Sequence, residues 1–473
     1  MIEIIFTLYL LLIVFIGLLS NKFISSQLDF LLAGRKLGPW VTAFSERASG
    51  ESAWLILGLP GAAIAVGYGE IWAVIGITLG IISSWFLIAE KLRYETEKYE
   101  ALTVPEYLHK KFNDSSGIIK LTSAIIIGIF FTFYVSAQFH GSGKILNTIF
   151  EIDPLYGITL GAFVIILYTI MGGLLAVAWT DLLQGILMIG TLVILPIAGL
   201  IELSSFERPL SELLISEDPS KSSLFAGMTG LAALSVATGG LSWGLGYFGQ
   251  PHLLIRYMAI SSVKEVKKAR WIASMWAIPG ISGAFLIGIV GMAYFGEDFF
   301  IGKDPEIIMP LLAQTLLPGW LAGLLISGAV AAMMSTADSQ LLVSTSAISE
   351  DLGINAIKKR TESDTLLNTR IITILLGIFA YIVAMYSEYS GNTIFSIVSF
   401  AWSGLGSSFG PAILLALWWK KTTREGVIAG LFTGAITTLI WGSSPYLKSI
   451  VTERLSSFIF AFVMIIIVSK YKK

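Results

Sequence analysis

Apolar runs of about twenty residues recur from one end of this chain to the other, and each is long enough to cross the hydrocarbon core of a bilayer as a helix. Backbone polar groups must be satisfied internally in lipid, so such runs predict helices packed on one another. Composition agrees: 473 residues that are 55% hydrophobic and 13% charged, with a mean hydropathy of +0.79, carry too little charge for a water-soluble surface. The reading is an all-α membrane protein with a single membrane domain over residues 1–473. Its net charge of −1 gives no pull towards nucleic acid. Having no Cys, it can form no disulfide, thiol nucleophile or thiolate metal site. The first run, Ile2 to Ser20, has neither a basic leader nor an Ala-x-Ala cleavage site and reads as a retained span.

Thirteen spans are expected, at 2–20, 38–62, 69–90, 118–147, 155–178, 181–202, 224–250, 271–296, 308–345, 369–387, 391–419, 425–442 and 454–470. Charge sorting supports an N-terminus outside and a C-terminus in the cytoplasm. With that topology 24 Lys and Arg fall inside, from Lys22, Arg35 and Lys36 through Arg93 and Arg256 to Lys358, Lys359, Arg360, Lys472 and Lys473. Five fall outside (Arg208, Lys221, Lys303, Lys448 and Arg454), and Arg47 and Lys144 stay within spans. An odd number of crossings preserves this sorting; an even number breaks it.

The usual signatures of catalysis are missing. No G-x-x-x-x-G-K-[ST] loop is present, His109, His140 and His252 are scattered, and no H-E-x-x-H or His, Ser and Asp constellation occurs, so the chain is not expected to be an enzyme. The informative residues are polar ones placed where lipid forbids them. Span two holds Glu46, Arg47 and Glu51 together with Ser45, Ser49 and Ser52, followed by Gly58 and the helix-breaking pair Pro60 and Gly61. Glu51 follows Arg47 by one helical turn, so the two can pair, while Glu46 points elsewhere with a charge to be matched. An internal salt bridge locking helices together, or a polar cavity or ion path, would each explain the cluster.

Span seven is interrupted in the same style. Gly239 and Gly240 precede Trp243-Gly-Leu-Gly-Tyr-Phe-Gly-Gln-Pro251, where repeated Gly weakens the helix and Pro251 lacks a donor. Tight packing by small residues is the plain reading of the glycines. Unwound backbone lining a cavity is the functional one. Two broken helices five spans apart suit a pair of five-helix repeats of opposite topology with a binding site between them. Span nine adds Ser335, Thr336, Asp338 and Ser339, hard oxygen donors suited to a hard cation, or hydroxyls that simply bond back to the preceding turn. Span six opens with Thr180 and Asp181, the latter an N-terminal helix cap or an ion ligand.

The stretches DFLLAGRKLG (29–38), WLILGLPGA (54–62), GGLLAVAWTD (172–181), WGLGYFGQPHLLIRYMA (243–259) and MSTADSQL (334–341) resemble the sodium:solute symporter family, in its bacterial sodium/proline branch. The likeness runs in order from about residue 29 to 425. It implies a leucine-transporter-type 5+5 inverted-repeat core: 1–37 a first helix and cytoplasmic loop, 38–202 the first repeat, 224–419 the second, and 425–473 the last two helices. It also implies a bacterial inner membrane, the bilayer and a small amino acid as partners, and Na⁺ as the coupling ion; it says nothing of protein partners. Carried over by position, sodium would be held by the backbone of Ala48, Glu51 and Ala332 and the hydroxyls of Ser335 and Thr336. A second cation site would fall on Asp181, Asp338 and Ser339. A proline pocket would be lined by Ser52, Ala53, Trp54, Tyr134, Trp243, Tyr247, Gln250 and Pro251.

One departure stands out. Where the proline symporters have an aspartate before the pocket, this chain has Gly50 followed by Glu51, and Glu46 and Arg47 thicken the charge nearby. Glu51 then replaces the aspartate in sodium coupling, or carries a proton so that the driving ion is H⁺, or pairs with Arg47 structurally. Other members of the family move sugars and organic acids, and some act as membrane sensors, so these functions remain the alternatives to proline uptake.

Overall fold

The computed structural model describes residues 1–20, 27–170, 173–216, 218–351 and 362–471. Lys22, Lys358, Lys359, Arg360, Lys472 and Lys473 of the charge count, and Gly172 of the motif GGLLAVAWTD, lie outside these described residues. Among the described residues the regular structure is helix, with no strand and one isolated parallel bridge between Leu37 and Ile260. Nine helical stretches among the described residues are long and apolar enough to cross a membrane, and Ile2–Ile13 and Pro154–Thr169 are shorter apolar helices. The expected thirteen crossings are reached only by adding these two and the two interrupted stretches described next. Helix length and composition do not by themselves decide the number.

The first interruption does not fall where Pro60 suggested. The chain stays helical through Gly58 and Leu59, because one turn of π-helix, Trp54–Gly58, makes room for the proline at the start of helix Leu59–Val66. The break comes instead at the end of helix Pro39–Gly50, where Glu51 takes φ −107° and ψ 81°. Gly50 removes the side chain that would otherwise stiffen this exit. The second interruption agrees with the sequence. Helix Gly230–Leu241 runs into a 3₁₀ stretch, Ser242–Phe248, then Gly249 and Gln250 leave helical geometry and Pro251 opens helix Pro251–Ala259.

Close approach explains the glycines of this segment. Gly244 lies so near helix Ile71–Ser84 that a Cβ there would meet the Gly76 carbonyl oxygen at 2.2 Å, and Gly80 faces the Gly244 backbone in turn. Backbone cannot swing aside as a flexible side chain can. Gly244→Ala is therefore expected to destabilise the protein by about 1–3 kcal/mol. Thermal unfolding in detergent measures this, and an unchanged transition would show that the two segments do not pack so tightly.

The two interrupted segments sit among four central helices. Leu174–Leu203 packs on both Pro39–Gly50 and Gly319–Ser346, while Ile118–Phe150 packs on Gly319–Ser346 and Ile394–Trp418. Nearly all of Ala322 to Ser346 is buried, which explains why span nine tolerates so many hydroxyls: its neighbours are protein, not lipid. Span nine is shorter than expected, since Ile308–Leu316 is a separate helix and the crossing begins at Gly319.

Candidate functional site

Breaking helix Pro39–Gly50 at its end frees carbonyls that would otherwise accept the next turn's N–H groups. Helix Gly319–Ser346 supplies hydroxyls to them. Ser335 Oγ lies 2.9 Å from the Ala48 carbonyl and 3.1 Å from that of Ala332. Thr336 Oγ1 lies 3.1 Å from the Ser49 carbonyl and 3.5 Å from that of Ala48. Ser335 thus does bond back to its own helix, and it also bridges to a segment nearly three hundred residues away. Four of the five expected sodium ligands, Ala48, Ala332, Ser335 and Thr336, come together, and the Ser49 carbonyl joins them. Glu51 is next to this set in the chain, but neither hydroxyl bonds to it. Neutral oxygens at these spacings form a cradle suited to a small hard cation.

A second cluster lies beside the first. Asp181, expected to open span six with capping as one role, sits instead on the eighth position of helix Leu174–Leu203, fully buried, so it caps nothing. Its Oδ2 accepts from Ser45 Oγ at 2.6 Å, Ser49 Oγ at 3.1 Å and Arg256 Nη2 at 3.1 Å. Arg256 also donates to the hydroxyls of Ser45, Ser49 and Ser339 and to the His252 carbonyl. Ser339 Oγ donates to Asp338 Oδ1 at 3.2 Å. Asp181, Asp338 and Ser339 are therefore gathered as expected. Arg256, counted above among inside-loop cations, is wholly buried in helix Pro251–Ala259 and belongs to the cluster.

The charges of span two form a third group. Arg47 pairs with Glu51 Oε1 at 2.7 Å through Nη1, as the one-turn spacing requires. Glu46 does not point elsewhere: Arg47 grips both its oxygens, with Nε at 2.6 Å from Oε2 and Nη2 on Oε1. Trp85 Nε1 at 3.0 Å and Tyr257 OH at 3.4 Å also donate to Glu46. Adjacent residues can reach one guanidinium because Arg47 is long and planar, and all three side chains are fully buried.

A cluster of aromatic rings reaches the Glu51 carboxylate through Tyr247. Trp54 and Trp243 stack at 5.6 Å, Tyr247 meets Trp402 edge-on at 4.7 Å, and Tyr134 meets Trp402 at 6.2 Å. Trp54 Nε1 donates to the Gly50 carbonyl at 3.1 Å and Tyr247 OH to Glu51 Oε1 at 3.0 Å. Gln250 Nε2 donates to the Trp402 carbonyl, and the Ala53 N–H to Gln138 Oε1, each at 3.0 Å. Ser52 Oγ accepts from the Trp54 N–H at 3.4 Å. Pro251 differs, lining a separate small cleft with Thr103, Ile127 and Val343. Trp402 and Gln138 were not singled out from the sequence. The one signal for Trp402 is its place in the small-residue run Ala401-Trp402-Ser403-Gly404, where a large ring needs a large neighbour.

Comparison with known proteins fits this geometry. The model of the Sodium:solute symporter family matches residues 30–434. The high-affinity proline transporter of Bacillus subtilis is 41% identical over 91% of this chain and 89% of its own length. The sodium/proline symporter of Escherichia coli is 36% identical over 98% and 92%. Among solved structures, a Na⁺-coupled sialic acid symporter in a substrate-bound outward-open state superposes with a TM-score of 0.81 at 18% identity, covering 100% of this chain and 98% of the other. MhsT in complex with L-phenylalanine superposes at 0.53 and 16% identity, over 94% and 98%. The fold is accordingly that of the leucine-transporter type. Matching motifs, the family model and relatives along almost the entire chain lead to one conclusion: this protein belongs to the sodium:solute symporter family.

Proposed function

We propose that the protein is a secondary symporter that couples inward sodium movement to uptake of a small amino acid, proline, by alternating access. The observation that carries the reading is the oxygen cradle of Ala48, Ser49, Ala332, Ser335 and Thr336 between a broken helix and a buried one. The names of the Bacillus and Escherichia relatives supply the solute. Trp54, Trp243, Tyr247 and Tyr134 supply apolar faces for its ring and cation–π attraction for its amine.

The two interrupted helices support the division into inverted repeats at 38–202 and 224–419, flanked by 1–37 and 425–473. Charge sorting supports thirteen crossings with the N-terminus outside and the C-terminus in the cytoplasm, and the bacterial relatives support a bacterial inner membrane. The pair Asp181 and Asp338 carries formally one negative charge more than Arg256 neutralises. Asp181 Oδ1 and Asp338 Oδ2 have no hydrogen-bond partner, which supports a second monovalent cation there, with Ser339.

The test is labelled proline uptake into liposomes under separate sodium and proton gradients. A sodium gradient alone is expected to drive accumulation; uptake driven by protons alone overturns the coupling ion. In the same assay, two sodium ions per solute give a sigmoidal dependence on sodium, and one gives a hyperbola.

A further inference from the structure

Charge counting within span two singles out one atom. Glu46 is fully served, by two nitrogens of Arg47, by Trp85 and by Tyr257. Glu51 is not. Its Oε1 holds Arg47 and Tyr247, while its Oε2 is buried with no hydrogen-bond partner. Two carboxylates against one guanidinium leave a formal charge of −1, and a bare carboxylate oxygen away from water is costly unless something pairs with it.

A cation that donates a hydrogen bond would both neutralise this charge and satisfy the bare oxygen. Sodium has its own cradle, because the hydroxyls of Ser335 and Thr336 bond the carbonyls of Ala48, Ser49 and Ala332 and none of those bonds involves the Glu51 side chain. Glu51 faces instead the rings of the candidate solute pocket. Tyr247 OH touches it, and the Arg47 guanidinium lies 5.5 Å from the centre of the Tyr247 ring. The indole of Trp54 is tied to the carbonyl of the residue before it.

We infer that Glu51 Oε2 accepts the protonated amine of the solute, so that this site selects small zwitterions bearing an ammonium N–H over neutral and anionic solutes of the same shape. The inference rests on the amino-acid reading above and sharpens it. Gly50, bearing no side chain, leaves the carboxylate to arrive from the next residue, outside the regular helix. A charge-assisted N–H to carboxylate bond then orients the ring between the aromatic faces.

The experiment is a binding series on the purified full-length protein in nanodiscs with saturating sodium. The probes are L-proline and two ring mimics without the amine, tetrahydrofuran-2-carboxylate and cyclopentanecarboxylate. Proline is expected to bind and the mimics to bind at least about tenfold more weakly. Glu51→Gln is expected to weaken proline by a similar factor while sodium alone still raises the unfolding temperature, with Glu51→Asp between. A mimic binding within about threefold of proline, a Gln variant with unaltered proline affinity, or a Gln variant blind to sodium overturns the inference. If the Gln variant does not fold, Glu51→Asp takes its place, and unaltered proline affinity in the folded Asp variant overturns the inference. Failure of the unaltered protein to bind proline at all would overturn the proline reading, and this inference with it.

Discussion

Arg256→Gln is expected to unfold at markedly lower temperature than the parent and to transport nothing. Arg256 and Asp181 are both fully buried and lie 3.1 Å apart, so removing the guanidinium leaves a carboxylate in low dielectric with only hydroxyl partners. Breaking a buried pair by deleting one member costs about 3–5 kcal/mol, most of it the stranded charge. The Ser45, Ser49, Ser339 and His252 bonds of the same side chain disappear with it. Adding Asp181→Asn to the Gln variant removes the stranded charge and should restore part of the stability. A double-mutant cycle on thermal or denaturant unfolding measures the coupling. Two independent, additive losses would show that the pair does not hold the cluster together.

That residue also marks where sequence reading stopped short. Arg256 was legible as a cation near the end of a span, and such residues usually serve topology by staying at the cytoplasmic edge. Its burial depends on Asp181, 75 residues earlier, and on Ser339, 83 residues later. No local pattern encodes those distances. Trp402 and Gln138 were missed for the same reason: each acts through a contact with a distant segment, Trp243 and Ala53 respectively.

What was legible depended on physics that is local. Apolar length announced the membrane, and Pro251 with its glycines placed the second break correctly, because a missing donor and a weakened helix act at the residue itself. The one-turn spacing of Arg47 and Glu51 was enough to predict their ion pair. Glu46 was misjudged because helical spacing puts neighbouring side chains about 100° apart, and a long guanidinium reaches around that angle. Pro60 was misjudged because a single π-turn absorbed it, a choice made by packing that the proline alone does not reveal.

Substituting Ser335 by Ala separates the two readings of that hydroxyl. If it only bonds back to Ala332, its loss changes stability by about 0.5–1.5 kcal/mol, as for an ordinary buried hydrogen bond, and leaves the sodium response intact. If it completes the cradle with Ala48, then removing one oxygen from a small set of ligands weakens the ion by about 1.5–3 kcal/mol. The sodium concentration for half-maximal uptake should then rise at least about tenfold. Thr336→Ala should behave likewise, since Thr336 Oγ1 approaches the Ser49 carbonyl at 3.1 Å. Thr336→Ser keeps the hydroxyl and should stay near the parent, which distinguishes a lost oxygen from a lost methyl group. Sodium titrations of uptake in liposomes provide the readout. An unchanged sodium requirement in both Ala variants would remove the cradle from the mechanism and shift the coupling to Asp181 and Asp338.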